Sequence, residues 1–248
     1  RKNLKIIVNG HVQKINFEGK KAVSVNYYER DKLITVKCNR EILLSAGSIG
    51  SPQLMMLSGL GDADELKSHG LSVLKHIPGI GKNLQDHLQI RTAFKLKNAI
   101  TLNQMYQSYF SLAMMGIEYL LFRRGPLTMA PSQFGIFTKS DKRFDTPNIE
   151  FHIQPLSLES FGKPLHKFPG LTLSVCNLRP LSRGTVSLSS ANPFDKPKIA
   201  PNYLSDNEDQ QVAIESILKA RELMATNEMA VFEPEEFLPG KNFVKPEE

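Results

Sequence analysis

The chain has 248 residues, 41% of them hydrophobic, enough for one large or two modest packed domains. Its net charge of +6 comes from 31 basic and 25 acidic residues. The basic residues are scattered, with Lys20–Lys21, Arg123–Arg124 and Lys142–Arg143 the tight pairs beyond Arg1–Lys2, so no basic stripe marks a nucleic-acid surface.

In chain order, Ile6–Val8, Val12–Phe17, Ala22–Tyr28 and Leu33–Lys37 are rich in β-formers and alternate with turn signals at Glu18–Lys20 and Arg30–Lys32. They predict a small antiparallel meander. Ile42–Leu44 is a short apolar run of the kind found in buried strands, and Glu41–Ser45 is expected to be one. Small residues at Ser45–Gly47 end it. Pro52 is expected in the first turn of a helix over Gln53–Leu57, closed by Gly59 and Gly61. A strand, a small-residue turn and a helix N-terminus bring backbone close to a phosphate-bearing ligand.

Asp62–His69 predicts a short helix with Asp62 or Asp64 near its N-cap, and His76–His87 a loop. From Asn103 to Arg124 the residues Tyr106, Phe110, Ala113, Met114, Ile117, Leu120 and Leu121 recur at spacings of three and four, predicting one helix closed by Gly125–Pro126. Met105, Met114 and Met115 are expected as core filler. The longest apolar stretch, Tyr109–Phe122, is too short to span a bilayer and carries Glu118.

Ile149, Phe151 and Ile153 alternate with Glu150, His152 and Gln154, and Leu171–Cys176 alternates too. A hairpin-like link through Pro180–Gly184 is expected to lead into a strand at Val186–Leu188. The last helix spans about Asp206–Ala225, with Ser205 and Glu208 in capping-box spacing. Glu215 and Lys219 are placed for an i,i+4 pair, and Val212, Ile217, Leu218 and Leu223 supply apolar positions. The expected class is α/β plus α+β, with a border near residue 90. Residues 1–90 would form part of one domain, and 91–248 a second with an antiparallel sheet backed by helices.

Four stretches carry a family resemblance. Ser48-x-x-Ser51-Pro52-x-Leu54 onward to Ser58-Gly59-Leu60-Gly61 resembles the second signature of the glucose–methanol–choline (GMC) oxidoreductases. Pro78–His87, reading PGIGKNLQDH, is similar to that family's PGVGxNLQDH loop. Leu181–Leu188 resembles its SRGxVxL strand, and Pro197–Leu204 the segment that follows. The wording around Pro147–Phe151 and Leu178–Gly184 looks most like the animal glucose- and choline-dehydrogenase-like branch.

The resemblance implies an FAD-dependent enzyme that oxidises an alcohol or sugar hydroxyl, passing electrons to oxygen or a quinone-like acceptor. It implies that 1–90 is the C-terminal part of an FAD-binding domain and 91–248 an incomplete substrate domain. Implied cofactor contacts are Val12, Ala46, Gly47, Ser48, Asn83, Asp86 and His87. His152, on the polar side of its strand, would line the alcohol pocket. Gln133 stands where many relatives carry a Glu.

The family's first Gly-rich phosphate loop and its catalytic histidine have no counterpart in this sequence, so no catalytic residue is assigned. The chain opens at Arg1 in mid-pattern and is expected to be an internal fragment; the compartment stays open, secretion included. A truncated, non-catalytic binding protein of the same family is the alternative.

Other chemistries are disfavoured. No G-x-S-x-G elbow surrounds any serine, which argues against a hydrolase. No G-x-G-x-x-G with an acidic residue about twenty positions on argues for nicotinamide. No histidine pair has metal-ligand spacing, and no metal is expected. Cys38 and Cys176 show no disulfide or metal pattern and are expected as buried thiols.

Overall fold

The computed structural model describes residues 1–130, 132–160, 162–240 and 242–243. Glu248, the end of the expected second domain, lies outside them. The elements in chain order are β1 (Gly10–Glu18), β2 (Lys21–Glu29), β3 (Lys32–Lys37), α1 (Gly47–Leu57), β4 (Leu60–Gly61), α2 (Ala63–Ser68), β5 (Lys75–His76) and β6 (Gln89–Lys95). Then come α3 (Leu102–Gln107), α4 (Tyr109–Phe122), β7 (Phe134–Thr138), β8 (Ile149–Gln154), β9 (Gly170–Asn177), β10 (Thr185–Ser187), β11 (Lys198–Ala200), α5 (Asn207–Met224), α6 (Asn227–Ala230) and β12 (Glu235–Leu238). They form two compact units: Arg1–Asp86 with Ser182–Tyr203, and His87–Leu181 with the described residues from Leu204 on. The division therefore differs from a single border near residue 90, because 182–203 return to the first unit.

In the first unit β1, β2 and β3 form the expected antiparallel meander. Ile6–Val8 lies outside it. Val8 and Asn9 make a turn instead, and Asn9 takes a left-handed φ of 61°, which asparagine tolerates better than most residues. The small core holds Met56, Leu57, Leu66 and Leu188, with Leu71, Val73 and Ile80 against it. α2 starts as its sequence directs: the Asp62 side chain accepts hydrogen bonds from the Asp64 and Glu65 backbone N–H groups.

Two further expectations for this unit are corrected. Ile42–Leu44 is not a strand, and Leu43 is 80% exposed. A buried strand needs hydrogen-bonded neighbours, and no strand among the described residues pairs with it. α1 begins at Gly47, so Pro52 sits in its second turn rather than opening it.

The second unit is built on one antiparallel sheet in the order β12-β6-β9-β8-β7. Cross-strand partners share a face, so register sorts the side chains. Ile149, Phe151, Leu173, Val175 and Phe94 lie on the apolar face and are buried together with Val212, Ala220 and Met224 of α5. Gln89, Arg91, Ser174, Cys176, Glu150, His152 and Gln154 occupy the other face. The expected alternation of β8 is present.

α5 buries Asp209, Val212, Ser216, Ala220 and Met224, while Leu218 is 51% exposed. The buried stripe thus runs at i,i+4 from Val212 and not through Leu218. Its N-cap is Asp206, which accepts from Glu208 N–H, rather than a Ser205–Glu208 box. Glu215 does not pair with Lys219. It accepts from Ser140 and Arg143, and Lys219 pairs with Glu222. Burial opposes ionisation of Glu215, but the Arg143 and Ser140 hydrogen bonds hold its carboxyl below the usual range.

The single helix expected over 103–124 is two. Ser108 interrupts it, and its hydroxyl caps α4 by accepting from Ser111 N–H. The apolar stripe is not core: Phe110, Leu120 and Leu121 are 77%, 68% and 69% exposed, whereas Met115 is buried and Met114 is exposed. α4 has too few polar residues to hide all its apolar sides against one neighbour. No described helix is long and apolar enough to cross a membrane. β9 does not form a hairpin with residues 186–188, since β10 pairs with β11 in the first unit. Cys176 is buried, but Cys38 is only partly so.

Phe151 is fully buried at the centre of the larger core. Phe151→Ala is expected to lower unfolding stability by about 3–5 kcal/mol, measured by denaturant titration.

Candidate functional site

Two glycine-bearing motifs about a hundred residues apart dock backbone to backbone in the first unit. Val186 N–H donates to the Gly81 carbonyl at 2.7 Å. Leu84 and Gly184 exchange two bonds, Leu84 N–H to Gly184 O at 3.0 Å and Gly184 N–H to Leu84 O at 2.8 Å. Only glycine permits this approach. A Cβ on Gly81 would stand 2.1 Å from the Val186 carbonyl oxygen, and one on Gly184 would stand 2.2 Å from that of Ala200. Gly81 also holds φ at +77°, a conformation that a Cβ strains.

That docking shapes a cavity of about 400 Å³ lined by Ser48, Pro52, Val186 and the loop Gly81-Lys82-Asn83-Leu84-Gln85. Its lining includes the Lys82 cation and no carboxylate. α1 begins beside it: no side chain caps Ala46, and no acidic residue lies in the first turn, so nothing on the helix competes with an outside anion for the positive end of its dipole. An added Cβ at Gly47 would meet nothing within 4 Å. The chemistry of this lining fits the phosphate-bearing part of FAD, the group that the resemblance implies.

Of the residues singled out in the sequence, Ser48 and Asn83 line the cavity together. Ala46 and Gly47 are the N-cap and first residue of α1, and Asn83 holds a left-handed φ of 62°. Val12 lies on β1, is 38% exposed, and is not in the lining. Asp86 is outside the lining as well and accepts a hydrogen bond from the Tyr203 hydroxyl. His87 belongs to the second unit, where its Nε2 lies 3.2 Å from the Leu178 carbonyl oxygen. His152 is on the polar face of the second unit's sheet, half-buried, with Nε2 3.7 Å from Glu150 Oε2. Gly81, Lys82, Gln85, Val186 and Tyr203 lay within the quoted motifs without being assigned roles. Motif wording marks such a segment but does not say which of its side chains turn inward.

The bond to Asp86, with some burial and the carboxylate's charge, holds the Tyr203 phenol above the ordinary tyrosine range. A folded-state pKa above the unfolded one means that the contribution to stability is full below about pH 10 and is lost as pH rises through the higher folded value. Unfolding stability should therefore fall more steeply above about pH 10 in the parent protein than in Tyr203→Phe, as checked by denaturation at stepped pH.

A family model described as GMC oxidoreductase matches residues 1–89, and a second with the same description matches residues 180–247. An alcohol dehydrogenase [acceptor] of Pseudomonas putida is 41% identical over 97% of the chain and 44% of its own length. An oxygen-dependent choline dehydrogenase of Staphylococcus aureus is 34% identical over 100% of the chain and 43% of its own. Pyridoxine 4-oxidase from Mesorbium loti superposes with a TM-score of 0.79 at 25% identity, over 98% of the chain and 44% of that structure. The chain spans less than half the length of these relatives. With both family models matched, in chain order and over more than half of its residues, the chain belongs to the GMC oxidoreductase family.

Proposed function

We propose that the protein containing this chain is an FAD-dependent oxidoreductase acting on CH–OH donors, an alcohol or a sugar hydroxyl. The observation that carries this reading is the cation-bearing, carboxylate-free cavity between the α1 N-terminus and the Gly81–Gln85 loop. When bound, FAD supplies the hydride acceptor that no amino-acid side chain can provide.

This chain's residues would do the holding. The α1 N-terminus and Lys82 would balance phosphate charge, and Ser48, Asn83 and Gln85 would offer hydrogen bonds. The Gly81–Val186 docking would keep the loop rigid, so little ordering entropy is lost on binding. Asp86, tied to Tyr203, would fix the end of that loop. In the second unit, the polar sheet face carrying His152, Glu150 and Gln154 would receive the substrate hydroxyl, with His152 in the alcohol pocket. The electron acceptor would be oxygen or a quinone-like molecule. The animal glucose- and choline-dehydrogenase-like branch is favoured by motif wording alone.

The protein containing this chain, once purified, should carry flavin absorbance that bleaches anaerobically with an alcohol or sugar in a screen of such donors. Gly81→Ala should lose at least tenfold in flavin affinity. Gly79→Ala, whose added Cβ meets nothing within 4 Å, should keep it. Equal flavin affinity in the two variants would sink the cavity assignment. Flavin that no hydroxyl donor reduces would sink the reaction.

A further inference from the structure

The polar face of the second unit's sheet brings Cys176 to Glu150 and His152, from which it is far apart in sequence. Glu150 of β8 stands directly opposite Cys176 of β9, and His152 lies two residues along the same face. One carboxylate oxygen, one imidazole nitrogen and the Cys176 sulfur all lie within 4.8 Å of one another. The His152–Glu150 approach is 3.7 Å. We infer that Glu150, His152 and Cys176 form a site for a divalent metal ion of the zinc class.

The dimensions suit it. Bond lengths of about 2.3 Å to sulfur and about 2.0–2.2 Å to nitrogen and oxygen place the ligand atoms of a tetrahedral site roughly 3.4–3.6 Å apart. The His152–Glu150 pair at 3.7 Å is already near that value, and the sulfur, within 4.8 Å of both, needs a shift of at most roughly 1.2–1.4 Å. The sheet holds all three Cα positions through the β8–β9 ladder, so only side-chain torsions must adjust.

The ligand set selects the metal. One thiolate, one imidazole and one carboxylate form a mixed set, soft, borderline and hard, whose sulfur and nitrogen suit zinc or cobalt and not the oxygen-seeking calcium or magnesium. Ligation releases the Cys176 proton to solvent, and the two resulting negative charges balance a divalent ion. Arg91 lies on the same face of the adjoining strand, opposite Ser174, and Gln89 lies opposite Cys176, where it accepts from the Ser174 hydroxyl.

Access is one-sided. Cys176 is 2% exposed, whereas the His152 and Glu150 side chains keep 28% and 20% of their surface. On the edge strand the residue opposite His152 is Gly135, and a Cβ there would come no nearer to Glu150 than 3.8 Å. That gap leaves room for a fourth ligand, water or an exogenous group, so the site is of the open kind with three protein ligands. The site uses the same His152 and Glu150 that the proposed function gives to the substrate hydroxyl, so a bound ion would compete with that hydroxyl for this face, but its argument rests on neither flavin binding nor alcohol oxidation.

Cobalt(II) titration of the purified protein tests it. Expected is saturation at one ion per chain, with the intense visible bands of a tetrahedral centre and thiolate-to-metal charge transfer, both removed by excess zinc. Cys176→Ser should abolish the charge-transfer band. His152→Gln, at a partly exposed position, should weaken zinc binding at least tenfold in competition with a chromophoric chelator, and it keeps the test valid if the cysteine variant does not fold. Failure to bind at one equivalent, a spectrum without the thiolate band, or unchanged affinity in His152→Gln would each overturn the site.

Discussion

The first unit depends on the hydrogen bonds that lock the Gly81–Leu84 loop onto residues 184–186. Each such bond contributes only about 0.5–1.5 kcal/mol net. Their importance is geometric. They force two backbones to within a distance that a methyl group would prevent, which fixes glycine at positions 81 and 184. The cavity wall follows from that contact, because the loop carrying Lys82, Asn83 and Gln85 has no regular secondary structure of its own to hold it. Leu188, just beyond β10, then enters the small core with Met56, Leu57 and Leu66, and its N–H donates to the Glu65 carboxylate.

The second unit is ordered by a different constraint, the two-residue period of its strands. Its apolar face is covered by α5, whose stripe of Val212, Ala220 and Met224 fits against Phe151 and Val175. Buried Asp209 joins helix to sheet: it accepts from the Asn177 side chain and from Leu181 N–H. Arg221 grips Glu236 of β12 with two bonds of 2.8 and 2.9 Å. The other face is free to be polar because the apolar one supplies the core. Chemistry-bearing residues such as His152 and Cys176 can therefore gather there without weakening the packing.

Local signals were legible in the sequence where a local cause dominates. The alternation of Ile149–Gln154, the Asp62 cap and the meander of β1–β3 each depend on neighbouring residues, and each was readable. Most failures were non-local. Ile42–Leu44 has the composition of a strand, but strand status depends on a partner elsewhere. The 103–124 pattern has helical period, yet period does not say whether a face is covered, nor that the Ser108 hydroxyl would start a new helix. The cavity loop was readable as wording, while its shape depends on a partner a hundred residues on. Glu150 and Cys176 were invisible as a pair because their meeting is a matter of strand register.

The bond between His87 and the Leu178 carbonyl has a consequence for how the chain reaches its native state. Residues 87–181 interrupt the first unit, so the contact between Leu84 and Gly184 must close a loop of about a hundred residues. The entropic cost of closure grows as roughly (3/2)RT ln n with loop length n. When the inserted sheet assembles, His87 and Leu178 are drawn together at its base, and the effective loop shrinks to the few residues outside that bond. Holding His87 beside Leu178 thus lowers the entropic cost of the Leu84–Gly184 contact, whichever unit forms first.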